Sequence, residues 1–136
     1  MATIYREVEL NASADFVWAA VRDVGEVHTR LAKGFVTHTV LAGAMRTVTF
    51  ANGFTVREQI VTVDDEQKRL VYSSVGGKAS HHNAYFQVFP CGEGKSRLLW
   101  VTDLLPDDVR PAIAQMVDLG MAAIQQTLER AYTEAT

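Results

Sequence analysis

The chain is poor in the residues that announce the common chemistries. It has one cysteine, Cys91, so no internal disulfide is available. Three prolines and nine glycines in 136 residues exclude collagenous and low-complexity architectures. Thirteen basic side chains against sixteen acidic give a formal charge of −3, without the cationic excess that displaces counterions from a phosphate backbone. Nucleic acid is therefore not an expected partner. No apolar run approaches the roughly 18 residues of a membrane span, and MATIYREVEL places acidic residues where a signal peptide carries its apolar stretch. A cytoplasmic protein without stable membrane insertion is expected. The four histidines lack ligand spacing, His81 and His82 fall on opposite faces of a strand, and neither a P-loop nor a Gly-x-Ser-x-Gly elbow occurs. No metal and no cofactor are expected.

What is present is 48% hydrophobic residues in ordered alternation, enough for one core in a single domain spanning residues 1–136. Thr3 to Leu10 has the period of a half-buried strand, and Ser13 followed by Asp15 is a helix start, with Phe16, Val17, Ala20 and Val21 on one face and Gly25 as the break. A second short helix is predicted from Glu26 to Ala32. Six strands follow: Phe35 to Leu41, Met45 to Phe50, Thr55 to Val63, Arg69 to Val75, His82 to Phe89 and Arg97 to Asp103. The breaks between them are short enough for hairpins, which makes the sheet an antiparallel meander. From Pro111 to about Tyr132, Ile113, Val117, Gly120, Ile124, Leu128 and Ala131 mark one face of a helix roughly 30 Å long.

A curved seven-stranded antiparallel sheet needs a cover, and only the last helix is long enough to supply it. The fold class is α+β. Small residues on that helix, Ala112, Gly120, Ala122 and Ala123, allow either space or close packing beneath it.

The order of elements, and above all the stretch GAMRTVTFANGFTVREQIVTVDDEQKRLVYSSVGG from Gly43 to Gly77, resembles the START-like superfamily, whose architecture is the helix-grip or birch-pollen-allergen fold, in its polyketide cyclase/dehydrase and lipid-transport branch. The same stretch is similar to the plant abscisic-acid receptors. The resemblance implies a cavity between sheet and last helix, with Ala51, Asn52, Gly53 and Phe54 as a gate and Gly76, Gly77 and Lys78 as a latch. It also places Lys33 where the receptors meet a hormone carboxylate. The receptors' gate proline and latch histidine-arginine pair are missing, which argues against closure onto a phosphatase partner.

Strand alternation groups Arg46, Val48 and Phe50 on one face, and Val56, Glu58 and Ile60 on one face of the next strand. Which face of the second strand turns inward is open from alternation; the resemblance implies the Arg46 and Glu58 faces. Polar groups expected to orient a ligand are Lys33, Arg46, Glu58, His82 and Tyr85. Expected contact residues are Phe35, Val48, Phe50, Phe54, Val56, Ile60, Tyr72, Phe86, Met116, Gly120 and Ile124.

The leading expectation is a protein, monomeric or homodimeric, that binds or carries a small hydrophobic molecule. A second is a polyketide cyclase or aromatase in which Arg46 stabilises an enolate while Glu58 or Tyr85 shuttles protons. A third is an interaction module without a small ligand, with a filled cavity and an exposed apolar patch. A polar cross-strand pair of Arg46 and Glu58 at a pocket mouth is the plainer reading of those two residues, and a solvated turn that of Asp64, Asp65 and Glu66.

Overall fold

A computed structural model describes residues 2–136. The first strand, β1 (Ala2–Leu10), turns Ile4, Arg6, Val8 and Leu10 to one side and Tyr5, Glu7 and Glu9 to the other. Ser13 caps helix α1 (Ala14–Val21) as its sequence predicts, its hydroxyl accepting from the Phe16 N–H at 3.2 Å. The second short helix follows, as a single widened helical turn, Val27–Leu31, in which the Ala32 N–H donates to the Val27 carbonyl at 2.9 Å. Val27 and Leu31, four residues apart, share the buried face of this turn.

The meander follows as β2 (Val36–Ala42), β3 (Met45–Phe50), β4 (Thr55–Asp64), β5 (Arg69–Val75), β6 (His81–Pro90) and β7 (Ser96–Leu105). All pairings are antiparallel, and the sheet order is β1-β7-β6-β5-β4-β3-β2. The first two strands therefore lie at opposite edges, and α1 with the widened turn carries the chain between them. Helix α2 (Arg110–Ala135), slightly longer than the periodicity predicts, crosses the concave face.

Three polar contacts seat α2. Arg6 Nε donates to Asp118 Oδ1 at 2.6 Å, the Asn11 N–H to Glu129 Oε2 at 2.8 Å, and the Lys33 N–H to Thr127 Oγ1 at 3.1 Å. Its C-terminal half packs Met121, Ile124 and Leu128 into the main core with Leu10, Leu70 and Leu98. Near its start, Ala114 and Val117 join Ala2, Ile4 and Leu104 in a smaller cluster.

The acidic turn between β4 and β5 is a solvated turn, with Asp64 Oδ1 accepting from the Gln67 N–H at 3.0 Å. It also has a tertiary role that sequence spacing did not disclose. Asp65 Oδ1 accepts from Trp18 Nε1 at 2.9 Å and from Arg22 Nε at 2.7 Å, tying α1 to this hairpin.

The Arg22 hydrogen bond holds the Asp65 carboxyl below its ordinary 3.8, and Arg6 does the same for Asp118. Because both folded-state values are depressed, the stability these groups contribute is present above 3.8 and disappears as pH falls below it. Acid unfolding followed by circular dichroism should thus be shallower in the Asp65→Asn/Asp118→Asn double variant than in the parent. Equal acid slopes would remove these two pairs from the account.

Candidate functional site

A cavity of about 430 Å³ lies between α2 and the sheet. That is within the range of small-molecule sites. Its walls come from four places. Val27, Leu31 and Ala32 enter from the widened turn, Phe35 and Val36 from the start of β2, and inward residues from β3 to β7 make the sheet wall. Ile113, Met116, Gly120 and Ile124 line it from α2 at helical spacing.

The sheet wall follows strand parity. Arg46, Val48 and Phe50 point in from β3, Val56 and Glu58 from β4, Tyr72 from β5, His82 and Phe86 from β6, and Trp100 and Thr102 from β7. Asn52 and Phe54 on one turn, with Gly76, Gly77 and Lys78 on another, stand at the mouth, where the resemblance placed a gate and a latch. Asn52 Oδ1 accepts from the Phe54 N–H at 3.0 Å and fixes that turn, while the Phe54 ring remains 64% exposed. Gly76 and Gly77 have φ of 81° and 87°, a backbone path that side chains on both residues would strain.

Three expected site residues lie off the cavity wall. Tyr85 is on the convex face, because it neighbours Phe86 on a strand and the two must point oppositely; its ring is covered by the Arg69 guanidinium at 4.5 Å. Lys33 is exposed and is held by its backbone N–H to α2, so no lysine reaches the cavity floor from that position. Ile60 packs against the main core beyond Glu58, where the register of β4 shifts at a bulge. Conversely, Trp100, Thr102 and the residues of the widened turn were not among the expected site residues. Parity on β7 groups Trp100 and Thr102 with the buried Leu98 and Leu104, but the inward turn of Val27 and Leu31 has no periodic signal.

The polar part of the wall is built around one ion pair. Arg46 and Glu58 are direct cross-strand partners in the register of β3 and β4. Arg46 Nε donates to Glu58 Oε1 at 2.7 Å, and the side chains are only 3% and 11% exposed. The pair lies in the cavity wall and not at the mouth. The guanidinium also reaches the Val24 carbonyl at 3.4 Å and stands 5.2 Å from the centre of the Tyr72 ring. The Tyr72 hydroxyl accepts from Trp100 Nε1 at 3.0 Å, and Trp100 stacks on Phe86 with ring centres 4.6 Å apart.

Burial, and next the Glu58 charge, push the Tyr72 hydroxyl far above its ordinary range, so it remains protonated at any physiological pH. Burial likewise lowers His82 below 6.5, with Glu58 acting in the opposite sense. His82 is therefore a neutral imidazole at neutral pH, able to donate through one nitrogen and accept through the other.

At Gly120 the backbone of α2 meets the rings of Phe35 and Trp100. A Cβ there would lie 3.1 Å from Phe35 and 3.1 Å from Trp100. Of the two readings open from sequence, close packing accounts for this glycine, and Phe35 in turn meets Phe50 edge-on at 5.2 Å. Among the described residues no group of three or more His, Cys, Asp or Glu side chains is placed to hold a metal, and no helix is long and apolar enough to cross a membrane.

The family model for polyketide cyclase / dehydrase and lipid transport matches residues 1–134. The chain belongs to this family. No curated protein sequence matches it. Among solved structures, a protein from Bacillus thuringiensis superposes with a TM-score of 0.83 at 17% identity, covering 93% of this chain and 98% of its own. A START superfamily protein from Mycobacterium smegmatis gives a TM-score of 0.76 at 12% identity, with 98% and 99% covered. Norcoclaurine synthase from Thalictrum flavum, solved with dopamine and hydroxybenzaldehyde, gives 0.77 at 20% identity, with 99% and 88% covered. At these identities the likeness is one of fold: the helix-grip architecture expected from sequence is the architecture found.

Removing one member of a buried ion pair strands the other charge, whereas replacing both removes the desolvation cost together with the attraction. Arg46→Met should therefore destabilise the protein by about 3–5 kcal/mol, and Arg46→Met/Glu58→Leu should recover most of that loss, as read from urea midpoints. A double variant no more stable than the single one would contradict this description of the pair.

Proposed function

We propose that residues 1–136 act as one ligand-binding domain that holds a small, largely apolar and oxygenated molecule between sheet and α2. The observation that carries this reading is the cavity itself. Aromatic and aliphatic side chains surround a compact polar group there. Apolar walls open to water at a mouth favour an apolar molecule that displaces the water. The neighbouring norcoclaurine synthase, solved with two small oxygenated aromatic molecules, is consistent with such an occupant. Carriage of this ligand in the cytoplasm, by a monomer or homodimer, is part of the proposal.

An enzymatic reading of the polyketide cyclase kind keeps one specific support. His82 is held neutral on the cavity wall and lies within the influence of Glu58, which suits a proton acceptor. The charge of Arg46 is already balanced by Glu58, and Tyr85 has no part on the convex face. A filled cavity, the mark of an interaction module, is not what the chain has.

Native mass spectrometry of freshly purified protein tests the binding reading. A retained small molecule, released on denaturation with unchanged mass after incubation, supports carriage; release of an altered mass supports turnover. Gly120→Ala should weaken retention several-fold, since the new methyl drives Phe35 and Trp100 towards the cavity, while the denaturation midpoint shifts by no more than about 1 kcal/mol. Bare protein that takes up no flat apolar compound would overturn the proposal.

A further inference from the structure

The charge arithmetic of the wall narrows the ligand class. Arg46 and Glu58 are fixed opposite each other by strand register, so their charges cancel where they stand. Lys33 is outside the cavity and Lys78 is exposed at its mouth, where solvent screens it. His82 is neutral and Tyr72 is protonated. The wall thus presents hydrogen-bond donors and acceptors with no net charge. Glu58 keeps lone pairs beyond the one engaged by Arg46 Nε, and the Tyr72 oxygen accepts from Trp100, which leaves its own proton to give.

Building on the binding reading, we infer that the cavity selects a neutral, flat molecule bearing a hydroxyl or keto oxygen, and discriminates against carboxylates and ammonium ions. A carboxylate entering the cavity would lie beside Glu58, whose charge already balances that of Arg46. An ammonium would meet the reverse. In an apolar surround, either leaves a charge without a partner. A neutral hydroxyl meets no such cost, because it can donate to Glu58 or accept from Tyr72 or His82.

The test uses the full chain at neutral pH and four probes of one size: naphthalene, 2-naphthol, 2-naphthoate and 2-naphthylmethylammonium, with affinities from calorimetry. The expected order places 2-naphthol about tenfold or more ahead of either ion, and several-fold ahead of naphthalene. Glu58→Gln leaves Arg46 uncompensated, and 2-naphthoate should then bind more tightly than 2-naphthol. Arg46→Met/Glu58→Leu, which does not depend on an unbalanced charge, should reduce the advantage of 2-naphthol over naphthalene to what Tyr72 and His82 supply.

In the parent protein, 2-naphthoate or the ammonium binding as well as 2-naphthol overturns the selectivity while leaving the cavity reading intact. Naphthalene binding as well as 2-naphthol overturns the role given to the polar wall. Failure of all four probes to bind overturns the binding reading as well.

Discussion

Arg46 and Glu58 face each other inside an otherwise apolar space, and that pairing constrains much of what surrounds it. Two desolvated charges are tolerable only at close range, so β3 and β4 must keep the register that sets them opposite one another. A one-residue slip would turn Val48 and Val56 outward and bury the polar faces of both strands. The guanidinium then serves as a platform: Tyr72 lies against it, Trp100 donates to Tyr72, and Phe86 stacks on Trp100. One ion pair thereby orients aromatic side chains from three further strands.

The helix supplies the second constraint. It is seated by Arg6, by the backbone at Asn11 and Lys33, and by close packing near its C-terminal end. Gly120 allows the rings of Phe35 and Trp100 to approach its backbone, and the small cluster around Ile4 and Leu104 closes the far side. The cavity lies between the helix so fixed and the inward side chains of the sheet. Its mouth is formed by two turns, one shaped by Asn52 and the other by consecutive glycines with positive φ.

Much of this was legible in the residues because strand and helix periodicities are local. The β3 strand, the Ser13 cap, the meander and the α2 stripe follow from alternation and turn chemistry. The inward turn of Glu58 beside Arg46 came from the resemblance, because alternation leaves the face of its strand open. The misplacements have physical reasons as well. Tyr85 and Phe86 were both assigned inward, although neighbours on a strand cannot share a face; Arg69 covers Tyr85 on the other side. Lys33 was assigned from a resemblance of position, and a lysine after a bend can point anywhere the bend directs it. The widened turn at Val27–Leu31 and the Asp65 bridge to Trp18 and Arg22 depend on tertiary contacts that no short-range pattern encodes.

The central claim, that a ligand occupies the space walled by this ion pair and its aromatic neighbours, is tested most directly by methyl-resolved NMR with 2-naphthol as probe. The account predicts shifts confined to lining methyls such as those of Val48, Val56, Met116 and Ile124, with the methyls of Leu10, Leu70 and Leu98 in the packed core unmoved. Shifts centred on exposed Val40 and Leu41, or no shifts at saturating probe, would contradict it.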